Sequence, residues 1–270
     1  MSKTIELRSH RVLLSLLLAA CSLWGILASQ PAEAQTFTGI TGERNRITLG
    51  FHVQPEAVQA WLPAPWRLEP LASGPFKGAN LLVAFIDRIR EDDPEGKPRY
   101  SGTNPFVVFS APAKHPQTGA KVTVLLGGFA SNPANVPGFY QVYRAATVRV
   151  EHATKSHDLD AEEVADSWEV RDAAGAGGME LQLQCLVKVG ARTREKGEPN
   201  VISAKDPARW RIYKFEAATD VVKSVPLGID RVQEYAFHVS LPEYNLLFDG
   251  SEQLLGITLM PWYLRQTFVR

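Results

Sequence analysis

The feature that most constrains this chain is a two-residue alternation that recurs along its length. It is clearest from Met179 to Cys185, where Met179, Leu181, Leu183 and Cys185 interleave with Glu180, Gln182 and Gln184. A helix would spread those apolar side chains around its circumference, whereas a half-buried strand gathers them on one face. Gly175-Ala176-Gly177-Gly178 just before it reads as a hairpin turn. It is no phosphate loop, because it lacks the following Lys-Ser/Thr and precedes a strand. The same period places Ile47, Leu49, Phe51 and Val53 opposite Arg46, Thr48 and His52, and Trp210, Ile212 and Lys214 opposite Arg211, Tyr213 and Phe215. Runs at 79–89, 105–110, 121–130, 167–172, 231–241 and 254–269 are apolar or β-branched, with Gly and Pro punctuating them. One helix is predicted: Pro55 suits its first turn, Val58, Trp61 and Leu62 share a face, and Pro63 and Pro65 stop it. The expected fold is mainly β with few short helices, as a single closed or nearly closed antiparallel β-barrel or cone. Residues 35–43 read as an edge or tail, 157–163 as a loop or helical turn, 192–196 as a solvated loop and 220–226 as a connector.

The ends and the charge narrow the class. Lys3, Arg8 and Arg11 precede an apolar run from Val12 to Leu27, and Ala32-Glu33-Ala34 is a small-x-small cleavage site, so residues 1–34 read as an export signal. The run is shorter than the roughly 20 residues a membrane span needs. The expected location is periplasmic or secreted, with 35–270 as one domain. Leu18-Ala19-Ala20-Cys21 resembles a lipoprotein box and leaves a second route open, a lipid anchor at Cys21. Without the signal the chain carries 26 basic and 27 acidic residues. No clustered basic surface exists for nucleic acid. Cys185 is then the only cysteine, which excludes an internal disulfide.

Most catalytic signatures are missing: no Gly-x-Ser-x-Gly, Walker loop, dinucleotide fingerprint, His-Glu-x-x-His or Cys-x-x-Cys occurs. Cys185 lies on an apolar face, where a thiol acts as a small hydrophobe. The acidic loop 91–98 lacks EF-hand spacing. His152 and His157, beside Glu151, Asp158 and Asp160, are five residues apart and fit no helical zinc pattern. No metal or cofactor is expected, and the expected partner is a small-molecule ligand.

The stretch from Asn132 to Thr154 joins a proline-punctuated loop to a long alternating strand. Gln141, Tyr143, Arg149 and Glu151 fall on its polar face. That face either lines a barrel interior or is the solvent side of a half-buried sheet.

Val53-Gln54-Pro55-Glu56-Ala57-Val58, running on to Trp61-Leu62-Pro63, and Pro137-Gly138-Phe139-Tyr140-Gln141 ahead of a long strand, resemble the acetoacetate decarboxylase-like superfamily. The likeness spans about Arg46 to Val189. It implies a closed, mostly antiparallel barrel around a pocket whose lysine forms a Schiff base with a β-keto acid; acetoacetate decarboxylase is itself the stock example of a lysine activated by desolvation or a neighbouring cation. Gln141 stands at that lysine's place, Tyr140 replaces the proline and Val142 the second cation. A glutamine amide forms no imine. The pocket candidates are Tyr140, Gln141, Tyr143, Arg144 and Glu151, with Arg46 as a further interior charge. Lys121, Lys155 and Lys214 are the lysines left to serve a true carbon–carbon lyase. Three readings follow: a small-molecule pocket for an oxo-acid-like compound without imine chemistry, a lyase with its lysine elsewhere, or a non-enzymatic envelope-associated structural protein.

Overall fold

The computed structural model describes residues 35–135, 138–156, 161–188 and 192–269. In chain order the elements are β1 (Thr36–His52), α1 (Pro55–Gln59), β2 (Arg67–Leu68), β3 (Leu81–Asp92), β4 (Asn104–Lys114) and β5 (Lys121–Ala130). A 3-10 turn, Gly138–Tyr140, leads to β6 (Tyr143–Ser156), β7 (Ala161–Asp172) and β8 (Gly178–Lys188). Then come β9 (Thr193–Gly197), β10 (Asn200–Ser203), β11 (Trp210–Ser224), β12 (Ile229–Asp230), β13 (Val232–Val239) and β14 (Gln253–Val269). The export signal, Cys21, Pro137 and His157 lie outside the described residues.

Seven strands close into a ring, β5-β10-β11-β14-β1-β3-β4, through the β4–β5 pairing. This is the mainly-β barrel the alternation predicts, with two parallel pairings, β5–β10 and β5–β6, among the antiparallel ones. A flanking sheet, β6-β7-β8-β13, leaves the ring where Gly128–Ala130 pairs with Tyr143–Ala145. No helix among the described residues is long and apolar enough to cross a membrane.

Alternation gives the ring strands two different faces. Ile47, Leu49, Val83, Phe85, Val107, Phe109 and Ile257 point outward, where Trp168, Val170, Met179 and Leu181 of the flanking sheet cover them in the larger core. Trp168 is fully buried, 5.4 Å from Phe85 ring to ring. Ala84, Ile86, Phe106, Val108, Leu125, Val201 and Tyr213 form the smaller core inside the ring.

Four segments differ from expectation. Residues 36–43 are strand, because Thr36 to Glu43 pairs with β14 from Val269 to Tyr263. Ala161–Glu163 begins β7, paired with Lys188 to Leu186. Thr193–Lys196 pairs with β11, leaving its side chains exposed, so it is polar without being loop. Asp220 continues β11 rather than ending it, buried opposite Leu259 and bonded to Arg231. Polar composition misleads wherever one strand face meets water and a partner supplies the ladder.

Replacing Trp168 with Ala is expected to lower unfolding free energy by about 3–5 kcal/mol, the usual range for a fully buried Trp or Phe. Urea unfolding followed by far-UV circular dichroism measures it.

Candidate functional site

Simple alternation would put Glu43 and Arg46 on opposite faces of β1. The β1–β3 register slips between Arg44 and Ile47, and Asn45 takes φ 49°, a left-handed conformation that asparagine tolerates better than most residues. This bulge adds a residue and turns both side chains into the ring. Arg46 Nε donates to Glu43 Oε2 at 2.8 Å, and Nη2 lies 2.6 Å from the same oxygen. Arg265, on the adjoining β14 and only 8% exposed in its side chain, donates to Thr41 Oγ1 at 3.1 Å and has Nη1 3.9 Å from Glu43 Oε1. Glu43 Oε1 and Arg265 Nε are buried without a hydrogen-bond partner. Two tyrosine rings underlie the cations, Tyr263 at 4.1 Å from Arg46 and Tyr213 at 4.1 Å from Arg265.

The turn before β6 supplies the facing wall. Tyr140 is fully buried, and its carbonyl accepts a 2.7 Å bond from Ser203 Oγ. The Phe139 carbonyl accepts from Arg209 at 2.7 Å, and the Arg211 guanidinium sits 3.7 Å from the Phe139 ring centroid. Gln141 has φ 56°, which turns the chain so that Gln141 is exposed while Tyr140 and Tyr143 enter the smaller core. Tyr143 fits because residue 128 is glycine: a Cβ there would lie 2.6 Å from the Tyr143 ring. Burial pushes the phenol pKa values of Tyr140, Tyr143, Tyr213 and Tyr263 up, so all four stay protonated as potential donors at neutral pH.

Above these residues a cavity of about 110 Å³ opens at the barrel mouth, lined by Arg99, Arg211, Arg265, Tyr100, Tyr140, Tyr213 and Glu91 among others. Arg88, buried, donates to Glu91 at 2.5 Å and to the Asn135 carbonyl. Arg99 stands 3.7 Å from the other Glu91 oxygen and bonds the Thr38 carbonyl. Arg211, with its pKa lowered by burial, has no ion-pair partner among the described residues. Arg99, Arg211 and Arg265 thus line this cavity beside a single carboxylate, that of Glu91. Arginine does not shed its charge in proteins, so two positive charges stand in excess.

The other candidates lie elsewhere. Arg144 pairs with Asp172 at 2.6 Å and with Glu243 outside the ring. Glu151 is exposed on the flanking sheet, as are Thr147 and Arg149, so beyond Tyr143 the polar face of β6 meets solvent. Of the five sequence candidates, Tyr140 and Tyr143 meet, and Gln141, Arg144 and Glu151 do not join them. No lysine is among the buried residues described. Lys121 pairs with Glu69, Lys214 with Glu198, and Lys155 is exposed. Cys185 is buried, and burial pushes its thiol up to about 12. His152 Nδ1 lies 2.8 Å from the buried Asp166. Among the described residues no three His, Cys, Asp or Glu side chains are grouped to hold a metal. Glu43, Arg88, Glu91, Arg99, Arg211, Tyr213, Tyr263 and Arg265 escape the sequence reading. Tyr263 and Arg265 carry a usable signal, since they alternate with Trp262 and Leu264 in a strand whose ends both pair.

No protein-family model matches the sequence, and no curated protein does. Solved structures do. An acetoacetate decarboxylase-like enzyme from Sphingomonas wittichii RW1 superposes with TM-score 0.51 at 12% identity, covering 90% of this chain and 96% of that one. The enduracididine biosynthesis enzyme MppR with HEPES buffer bound gives TM-score 0.50 at 10% identity, covering 90% and 89%. This chain has the acetoacetate decarboxylase-like fold. Within that fold the turn resembling the family's Gly-Phe-Pro-Lys segment lies against the barrel interior, with Tyr140 as its inward residue and Gln141 facing solvent.

Two measurements probe this centre. Glu43→Gln leaves Arg46 and Arg265 without their shared carboxylate, and an expected loss of about 3 kcal/mol in urea unfolding follows the usual cost of breaking a buried pair. The His152 pKa is raised, chiefly by its hydrogen bond to Asp166 against the opposing effect of burial. The stability it contributes is complete below the unfolded value near 6.5 and disappears as pH rises through the higher folded value. The stability gap between wild type and His152→Gln is therefore expected to be largest near pH 5.5 and to shrink by pH 8.5, read from urea midpoints across that range.

Proposed function

We propose that this is an exported acetoacetate decarboxylase-like protein that binds a small oxo-acid-like ligand in the arginine-lined barrel mouth and does so without a Schiff base. The observation that carries the reading is the uncompensated positive charge of the cavity lining, where Arg99, Arg211 and Arg265 stand beside Glu91 alone. Guanidinium charges held partly desolvated with too few carboxylates are costly, so an entering carboxylate relieves an existing penalty. The tyrosine hydroxyls are suited to donate to a neighbouring carbonyl oxygen, which polarises it. Export is supported by the basic start, the apolar run and Ala32-Glu33-Ala34. The solved MppR structure, in the same fold, has HEPES buffer bound.

Imine chemistry is disfavoured by the solvent contact of every described lysine. An imine needs an unprotonated amine, and desolvation is a principal route to one. A carbon–carbon lyase with a displaced lysine remains the competing reading, and one experiment separates the two. With saturating acetoacetate and borohydride, the protein mass is expected to stay unchanged, while acetoacetate raises the melting temperature of wild type and not of Arg265→Gln. A reduced lysine adduct overturns the reading, as does an equal thermal shift in both proteins.

A further inference from the structure

We propose that the ligand of this site is a small dicarboxylic acid, with one carboxylate held at Arg265 and the second at Arg211 and Arg99. The proposal rests on the function proposed above and specifies its substrate class. A single carboxylate would leave one of the two excess positive charges of the lining uncompensated, whereas a dicarboxylate compensates both. The cations are also staged in depth. Arg265 is 8% exposed and reaches the cavity from within the ring. Arg99 is 37% exposed and Arg211 half-buried, both lining the same cavity.

Strand register separates the two groups. Arg265 pairs with Phe215, and Arg211 lies four residues before Phe215 on β11, roughly 13 Å along the strand at ~3.3 Å per residue. Long arginine side chains converging from that separation suit two charges on a short carbon skeleton better than two charges on one centre. The cavity, about 110 Å³, is well below the roughly 300–1,000 Å³ of a pocket for a drug-sized ligand, so the enclosed skeleton is short. Arg211 also has the geometry of a held receptor. Its guanidinium is stacked on Phe139, and that residue's turn is fixed by Arg209. A cation so oriented loses little rotamer freedom when an anion arrives.

Isothermal titration of the full chain without its signal tests this with malonate, propionate and inorganic phosphate. Malonate is expected to bind at least tenfold more tightly than propionate, and more tightly than phosphate, which carries its charge on one centre. Arg211→Gln is expected to lower malonate affinity at least tenfold and propionate affinity less than twofold, with Arg211→Lys restoring part of the difference. Equal affinity for malonate and propionate overturns the dicarboxylate assignment and leaves the single-acid reading intact. Tighter phosphate binding overturns it in favour of a phosphorylated ligand. An equal loss for both acids in Arg211→Gln makes Arg211 a support for the Phe139 turn and overturns its role as a receptor. Binding of none of the three anions to wild type overturns this proposal together with the function on which it rests.

Discussion

The β5 strand is the constraint on which the rest of the molecule depends. One edge pairs along its length with β4 and closes the ring. The other edge is divided: Thr123 to Leu125 meets β10, and Gly128 to Ala130 meets β6. A strand has only two hydrogen-bonding edges, so this division obliges the sheet to branch. One branch completes the barrel and the other departs as the flanking sheet. The turn carrying Phe139 and Tyr140 lies between β5 and the departing branch, so the same division brings it against the barrel interior. Gly128 serves both ends of the arrangement, extending the ladder and leaving room for Tyr143.

The interior reverses the usual economy of a barrel core. Small barrels fill with apolar side chains, and the ring does so with Ile86, Phe106, Val108 and Leu125. Near the mouth it holds guanidinium groups over tyrosine rings with one fully enclosed carboxylate. Ring faces, the Thr41 hydroxyl and Glu43 offset part of the desolvation those cations suffer, but the carboxylates are too few to balance them. A lysine in this setting would readily lose its proton on burial, whereas arginine keeps its charge. An interior built on arginine therefore holds fixed positive charge where a buried amine would offer a nucleophile.

Periodicity made the walls of this structure legible and left most of its chemistry obscure. Ile47, Leu49 and Phe51 could be assigned to one face because alternation is a local property. The helix at Pro55 was equally local. Glu43 and Arg46 could not be joined by the same reasoning, because a bulge at Asn45 changes the phase between them, and nothing in Arg44-Asn45-Arg46 demands it. Arg265 and Arg211 are far apart in sequence from Glu43 and meet it only after ring closure. Gln141 was assigned a pocket position by motif likeness, and one left-handed residue conformation turned it to solvent. The family likeness was correct for the fold, since the chain's course around the barrel survives where side-chain identities do not.

The two faces of β1 carry a final consequence. Ile47, Leu49 and Phe51 are bound into the core shared with the flanking sheet, while Glu43, Arg46 and Thr48 face the ring. Adjacent residues thus serve separate ends, one cohesion with the flanking sheet and the next the lining of the ring. In such a wall a change on the inner lining need not disturb the outer packing, which is compatible with a barrel shared with solved structures at 10–12% identity.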